Sequence, residues 1–257
     1  MNDTLTVGSV TLSGNLVVLD CNDDDAPEPD YEAISVPGRS GDLHIWNERW
    51  KNKLITYHCM CMANARTAVP ALLTQLLSQY GYQRITDSLH TTYYKMGEYV
   101  GATTPVYSNG GQTARFDLTF DCKPQKWLIV GDTETVYSAQ VTLTNPTRFP
   151  AYPIIGMYKN STSDGSVTIS HSNTYTLTNT NPYSSDVIHY MVAYDCELED
   201  AYSKRVSGTD TNPSSRNNYI TRTGASGKIY LRPNGTTTIS FSGGISKLYI
   251  TPRWYTL

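Results

Sequence analysis

Long hydrophobic runs are missing from this chain. The longest, Leu16-Val17-Val18-Leu19 and Trp127-Leu128-Ile129-Val130, fall far short of the roughly 18 residues of a membrane-spanning helix. The opening Met1-Asn2-Asp3-Thr4 carries an acid and no basic residue, so it does not read as a secretory signal, and the expected place of synthesis is a cytoplasm. Basic charge is also scarce. Twenty Lys and Arg against 23 Asp and Glu leave a net charge of −3, and the pI is near 5.9, which speaks against binding nucleic acid through bulk charge. Cysteine is thinly used: five residues, an odd number, spread over positions 21, 59, 61, 122 and 196, do not form a secreted disulfide framework. Cys59-x-Cys61 is spaced too tightly for half a zinc site, and no second close pair follows. A strand would place both thiols on one face, and they read as buried free thiols.

Catalytic patterns are absent as well. There is no nucleophile elbow, phosphate-cradling glycine loop, His-x-x-x-His pair or dinucleotide fingerprint. The five histidines, at 44, 58, 90, 171 and 189, are dispersed, and His58 reads as a satisfied core residue. Glu197, Glu199 and Asp200 lie close in sequence, but the carboxylate pair of a glycoside hydrolase faces across a cleft from separate strands, so these read as surface acids at a strand end. Asp23-Asp24-Asp25 lacks the staggered ligands and the glycine of a calcium loop, and reads as a solvated surface loop. No catalytic, cofactor-binding or metal-ligating residue is assigned, and the chain does not read as an enzyme.

What is present is turn and strand chemistry. Twenty Tyr against four Phe, with 18 Gly, 13 Pro and 17% charged residues, is the profile of a protein built from many short strands. The most informative stretch is Val36-Pro37-Gly38-Arg39-Ser40-Gly41-Asp42-Leu43. Pro37 presets φ for a type II turn, Gly38 supplies the positive φ that follows, and Gly41-Asp42 bends the chain again before a strand from Leu43 to Trp50. Leu5, Val7, Val10 and Leu12 read as one arm of a hairpin turning at Ser13-Gly14-Asn15 and returning through Leu16–Leu19. Leu54–Met62 is apolar on both faces and reads as a buried central strand. Val69, Leu72, Leu73, Leu76, Leu77 and Tyr80 recur at helical spacing and predict one amphipathic helix over about 68–80, with Thr67 as N-cap, Pro70 in the first turn and Gly81 after its end. Phe116, Leu118, Phe120 and Cys122 alternate with Arg115, Asp117, Thr119 and Asp121, as only a half-buried antiparallel strand requires. The tyrosines of Thr91–Val100 suit either an interface between copies or packing within one chain.

From Val136 no segment has a helical period. Short alternating runs follow: Val141/Leu143, Val167/Ile169, Tyr175/Leu177, Ile188 to Cys196, Ile239/Phe241 and Leu248/Ile250, separated by turn signals such as Asn234-Gly235. This predicts a mainly β chain of two domains: residues 1–135, a β-sandwich with one helix, and 136–257, a β-sandwich of jelly-roll type entered through the proline-rich Asn145–Pro153. Ser203–Asn218 reads as a mobile surface loop.

The octet, together with a terminal strand ending in Pro252-Arg253-Trp254, resembles the distal tail protein (Dit) family of long-tailed siphophages. Further segments fall in the order that family shows: Leu77–Gln83 closing the helix, Phe116–Trp127 with its Lys-Pro-Gln turn, Asn145–Ile155, Asp195–Tyr202 and Leu231–Gly235. The resemblance thus spans nearly the whole chain. It implies a structural role for Pro37, Gly38, Arg39, Gly41, Asp42, Pro252, Arg253 and Trp254, and a galectin-like fold for the second domain, whose last strand can pack back near the first. It also implies a hexameric ring at the distal end of a virion tail, made in the host bacterial cytoplasm. Such a ring joins the tail tube protein to the tail-associated lysin or tail fibre, offers a rim to receptor-binding proteins and passes DNA without sequence-specific contact. No cofactor and no membrane are implied. Two departures stand out: the chain is too short for the carbohydrate-binding insertion some members carry, and Tyr255 stands where the family often has a second Trp. The alternative is a lectin-like β-sandwich, which needs exposed aromatics on a concave sheet; Trp46, Trp50, Trp127 and Trp254 do not cluster in sequence.

Overall fold

The computed structural model describes residues 4–182, 190–207 and 213–257. Ile188 and His189, and the centre of the loop expected at Ser203–Asn218, lie outside the described residues. The chain divides into two compact units, Met1–Lys126 and Trp127–Thr256, with Leu257 grouping with the first; the division falls earlier than residue 136.

The first unit contains β1 (Leu5–Val7), β2 (Val10–Leu12), β3 (Leu16–Cys21), β4 (Pro29–Ile34), β5 (Leu43–Trp50), β6 (Lys53–Cys61), α1 (Ala65–Leu77), β7 (Gln83–Asp87), β8 (Tyr93–Tyr99), β9 (Val106–Ser108) and β10 (Thr113–Cys122). Its sheet runs β2-β1-β7-β8-β10-β6-β3, with β9 paired to β10. The two ends of that path, β2 and β3, come into contact, so the sheet rolls round its own core. Period-two alternation decides what faces inward. Phe116, Leu118, Phe120 and Cys122 of β10 meet Ile55, Tyr57, Cys59 and Cys61 of β6, and α1 adds Ala65, Val69, Leu72 and Leu76. All five cysteines are free thiols, and burial pushes Cys59 up to about 12.

Several sequence expectations need correction here. The first hairpin closes between β1 and β2 at Gly8, whose φ is 56° and whose N–H bonds Arg84 O; β3 does not return to β2 but pairs with β6. The strand β6 is central but buried on one face only, since Leu54 and Met62 are exposed. His58 is therefore no core residue. It sits on the open face, where the antiparallel register places Asp117 opposite it, with Nδ1 2.7 Å from Oδ1. The helix starts at Ala65, so Thr67 lies inside its first turn and is not the cap. Asn64 caps it with φ 55° and no side-chain bond; Ala65 N–H bonds Gln112 O at 3.1 Å, and Thr67 N–H bonds the Asn64 carbonyl at 3.0 Å. Leu77 and Tyr80 continue the helical stripe but are exposed.

The second unit begins in β11 (Lys126–Leu128) and contains β12 (Thr135–Tyr137), β13 (Val141–Thr144), β14 (Ile154–Lys159), β15 (Gly165–Ser170), β16 (Thr174–Asn179), β17 (Tyr190–Asp195), β18 (Asp200–Arg205), β19 (Ile220–Gly224), β20 (Thr236–Gly243), β21 (Ile245–Thr251) and β22 (Tyr255–Thr256). Two antiparallel five-stranded sheets, β12-β21-β14-β17-β18 and β13-β20-β15-β16-β19, share one core of Ile155, Met157, Val192, Tyr194, Leu248 and Ile250 from the first and Val167, Ile169, Tyr175, Leu177 and Ile239 from the second. The strand β17 is buried on both faces from Met191 to Asp195 and does not alternate. Ser203 lies in β18 and is tied to Ser214, and Arg216 N–H bonds Ala201 O, so both ends of the expected loop are anchored.

Candidate assembly surface

Strands β3 and β6 are antiparallel neighbours, yet residues 22–52 intervene between them. That excursion is an arm, the ribbon β4–β5, which pairs with no other strand among the described residues. Its tip is the proline–glycine octet. Arg39 N–H bonds Val36 O at 3.1 Å, and Gly38 and Gly41 have φ of 80° and 83°. The tip is therefore a type II turn followed by a second bend, which is why Pro37 and Gly38 occur there. Pro37, Gly38, Arg39, Gly41 and Asp42 are all exposed.

The arm is apolar on both faces. The pairs Ile34↔Leu43 and Glu32↔Ile45 place three aliphatic side chains on one side; Ala33↔His44 and Tyr31↔Trp46 place the aromatics on the other. Tyr31 stacks on His44 at 4.3 Å, and Trp46 meets Trp50 edge-on at 6.2 Å. Then the register shifts past Glu48 (φ 56°), and Asp30 pairs with Arg49. Tyr31, Ile34, Leu43, Ile45 and Trp46 are exposed, Trp46 by 54%. A lone two-stranded ribbon is marginal in water, and contiguous exposed apolar surface marks a docking site.

The arm springs from a buried ion cluster that sequence reasoning missed. Asp23, expected in a solvated loop, is 1% exposed. Its Oδ2 lies 2.9 Å from Lys95 Nζ and accepts from Tyr93 O–H at 2.7 Å. Its Oδ1 takes Lys53 Nζ at 3.2 Å and Lys126 Nζ at 3.3 Å. Lys95 also reaches Asp87 Oδ2 at 3.1 Å, and Tyr57 O–H donates to the same oxygen at 2.7 Å. Burial pushes the Asp23 carboxyl up, but Lys95, Tyr93 and Lys126 outweigh it and hold the group at about 2 against an ordinary 3.8. Asp87 is likewise lowered against the pull of burial by Lys95 and Tyr57, and Lys95 is raised by Asp87 and Asp23. The available signal was Lys95 itself, an ammonium at an inward position of β8. Tyr93 and Tyr99 of the same strand are engaged within the chain, Tyr93 on Asp23 and Tyr99 with Thr103.

The second motif is a clasp in the other unit. Arg253 holds φ 59°, and its N–H bonds Gly131 O at 2.7 Å. Its guanidinium grips Asp195 and Glu197. Trp254 O accepts from Leu128 N–H at 2.8 Å, and the indole is buried. Glu199 pairs with Arg222. Of the three acids that sequence places together, Glu197 is taken by Arg253, Glu199 by Arg222, and Asp200 accepts from Asn217 Nδ2 at 2.5 Å, so they do not form a facing carboxylate pair. A cleft of about 490 Å³ does open beside Thr103, Arg115 and Asp117, but it offers hydroxyls and a carboxylate already engaged by His58, not a nucleophile with its base. Among the described residues no group of three or more His, Cys, Asp or Glu could hold a metal, and no helix is long and apolar enough to cross a membrane.

No family model matches the chain, and no curated protein matches it in sequence. Among solved structures it is similar to the SPP1 Dit (gp 19.1) protein, described as a paradigm of the hub adsorption apparatus in phages infecting Gram-positive bacteria, with 14% identity, 99% of each chain covered and a TM-score of 0.68. A chain of the phage p2 baseplate in its activated conformation with Sr is similar at 9% identity, covering 93% of this chain and 98% of that one, with a TM-score of 0.50. The chain therefore has the Dit fold, mainly β with one α-helix among the described residues.

Proposed function

We propose that this protein is a structural hub of a siphophage tail tip, without enzymatic activity of its own. In this reading its copies close into a hexameric ring at the distal end of the virion tail. The ring joins the tail tube protein to the tail-associated lysin or tail fibre, leaves a central path for DNA, and carries receptor-binding proteins at its rim. The second unit, a two-sheet sandwich of galectin-like type, projects outward. The observation that carries the reading is the arm. A cyclic homo-oligomer is built from heterologous contacts, one patch of each copy on a different patch of the next. A ribbon apolar on both faces and uncovered in its own chain supplies such a patch. Likeness to a Dit protein over the full chain supports the same role.

The lectin reading gains less. Trp127 and Trp254, the tryptophans of the second unit, are buried, and the exposed Trp46 lies on the arm of the first.

Light scattering on the purified chain, with negative-stain imaging, tests the proposal. The expected species is a hexamer of 28.6 kDa chains with a central hole, formed alone or on addition of tail tube protein. A variant with Asp30–Arg49 replaced by Asn-Gly keeps the Pro29–Trp50 rung and should stay monomeric and folded. A chain that stays monomeric with tube protein present, or an armless variant that still forms rings, overturns the respective part.

A further inference from the structure

We propose that the buried ion cluster is the lock that fixes the root of the arm, and so the direction in which the arm leaves the rolled sheet. The cluster joins both points where the arm meets the core. Asp23 lies just past β3, where the chain departs, and Lys53 opens β6, where it returns. Lys53 Nζ has three donors, and the structure gives all of them partners on the departing segment: Asp23 O at 2.9 Å, Asp23 Oδ1 at 3.2 Å and Asp25 O at 2.5 Å. Lys126 Nζ adds Asp23 O at 2.8 Å.

Charge balance explains why backbone carbonyls are drawn in. Three ammonium groups, of Lys53, Lys95 and Lys126, face two carboxylates, of Asp23 and Asp87. The carboxylates cannot neutralise all three. A poorly solvated ammonium needs an acceptor for each proton it directs inward. The carbonyls of Asp23 and Asp25 meet that need, and only a root held in this one path presents them. Lys95 is 1% exposed and bridges Asp23 to Asp87 at the end of β7, so the root is tied to the sheet and not only to its own returning strand. Other contacts also tie the root to the body: Asn22 N–H bonds Thr56 O at 3.2 Å, Thr56 N–H donates to Asn22 Oδ1 at 2.6 Å, and Asn52 Nδ2 donates to the Tyr82 hydroxyl at 2.6 Å. Lys51 N–H to Glu28 O runs along the arm, and the cluster adds the ties of Asp23 and Asp25.

Hydrogen exchange on the full chain tests the lock, read by mass spectrometry at a dilution where wild type and variants have the same mass by light scattering. Lys53→Met, Lys126→Met and Asp23→Asn are compared with Asp117→Asn on the open face. The expected result is exchange of root amides, over 22–28 and 51–53, at least tenfold faster in Lys53→Met and Asp23→Asn. A smaller rise is expected in Lys126→Met. The β10 amides and the Asp117→Asn variant should keep wild-type rates. Unchanged root exchange in Lys53→Met overturns the proposal. So does equal acceleration of root and β10, which would make the cluster a support of the whole unit. Should Asp23→Asn fail to fold, Lys53→Met decides alone, because its head group lies at the cluster's edge, 10% exposed. The ring plays no part in the measurement, so either idea can fail without the other.

Discussion

Arg253 and Asp195 meet through one guanidinium nitrogen, Nη1, 3.0 and 2.9 Å from the two carboxylate oxygens, while Arg253 itself is held at a φ of 59°. The Asp195 side chain is 9% exposed, and its Oδ1 also caps the turn at Glu197 N–H, 2.8 Å away. Removing one partner of such a pair leaves the other charged and poorly solvated. Arg253→Ala should therefore destabilise the second unit by about 2–4 kcal/mol, and Arg253→Lys should recover only part, since one ammonium cannot grip Asp195 and Glu197 together. Urea unfolding followed by tyrosine fluorescence checks both; an Arg253→Ala midpoint equal to wild type would refute the clasp.

Gly131 lies beneath the same motif. A Cβ there would stand 2.5 Å from Trp254 N, and backbone cannot swing aside as a side chain can. Gly131→Ala should cost about 1–3 kcal/mol through overpacking. Gly38→Ala, whose Cβ would meet nothing within 4 Å, strains only the arm tip and should leave the melting temperature of the protein nearly unchanged. Calorimetry on the two variants separates them.

The rolled sheet predicts opposite outcomes for neighbours on β10. Leu118 is fully buried, and Leu118→Ala should cost about 2–5 kcal/mol. Asp117 is on the open face, and Asp117→Ala should change stability by about 0.5 kcal/mol or less. Equal effects in chemical denaturation would mean the register is wrong.

Asp23 makes stability depend on acid. Its folded pKa of about 2 lies below the ordinary 3.8, so its contribution is present above pH 3.8 and disappears as pH falls through 2. The depression corresponds to about 2 kcal/mol. Stability measured between pH 6 and pH 2 should fall more steeply for wild type than for Asp23→Asn; parallel curves would remove Asp23 from the account.

Local chemistry was the part of the structure that could be read in advance. Pro37 and Gly38 specify their turn within four residues, and the Phe116–Cys122 alternation specifies both a strand and its buried face without reference to any partner. Readings failed where the deciding contact lay far along the chain. The start of α1 depends on Gln112, remote from Asn64, and no local pattern announces it. His58 looked internal because Leu54, Met60 and Met62 share its face; only pairing with β10 shows that face to be open and Asp117 to be opposite. The ion cluster gathers Asp23, Lys53, Asp87, Lys95 and Lys126 from separate segments, so Asp23 read as part of a solvated loop and nothing in its own neighbourhood announced its partners. The same limit applies to β17, where turn-bounded alternation suggested one wet face and the sheet supplies two dry ones.

Because the arm leaves and re-enters the core at adjoining points of a hairpin, the first unit contains an exchangeable cassette. A splice placed after Asp25 and before Asn52 keeps every charged partner of the root, and closing a loop of different length there adds only about 0.6 kcal/mol per doubling. Arms of altered length or sequence can therefore be tried on an unchanged body. The exposed apolar surface of the arm is free to diverge while the fold that presents it stays as it is.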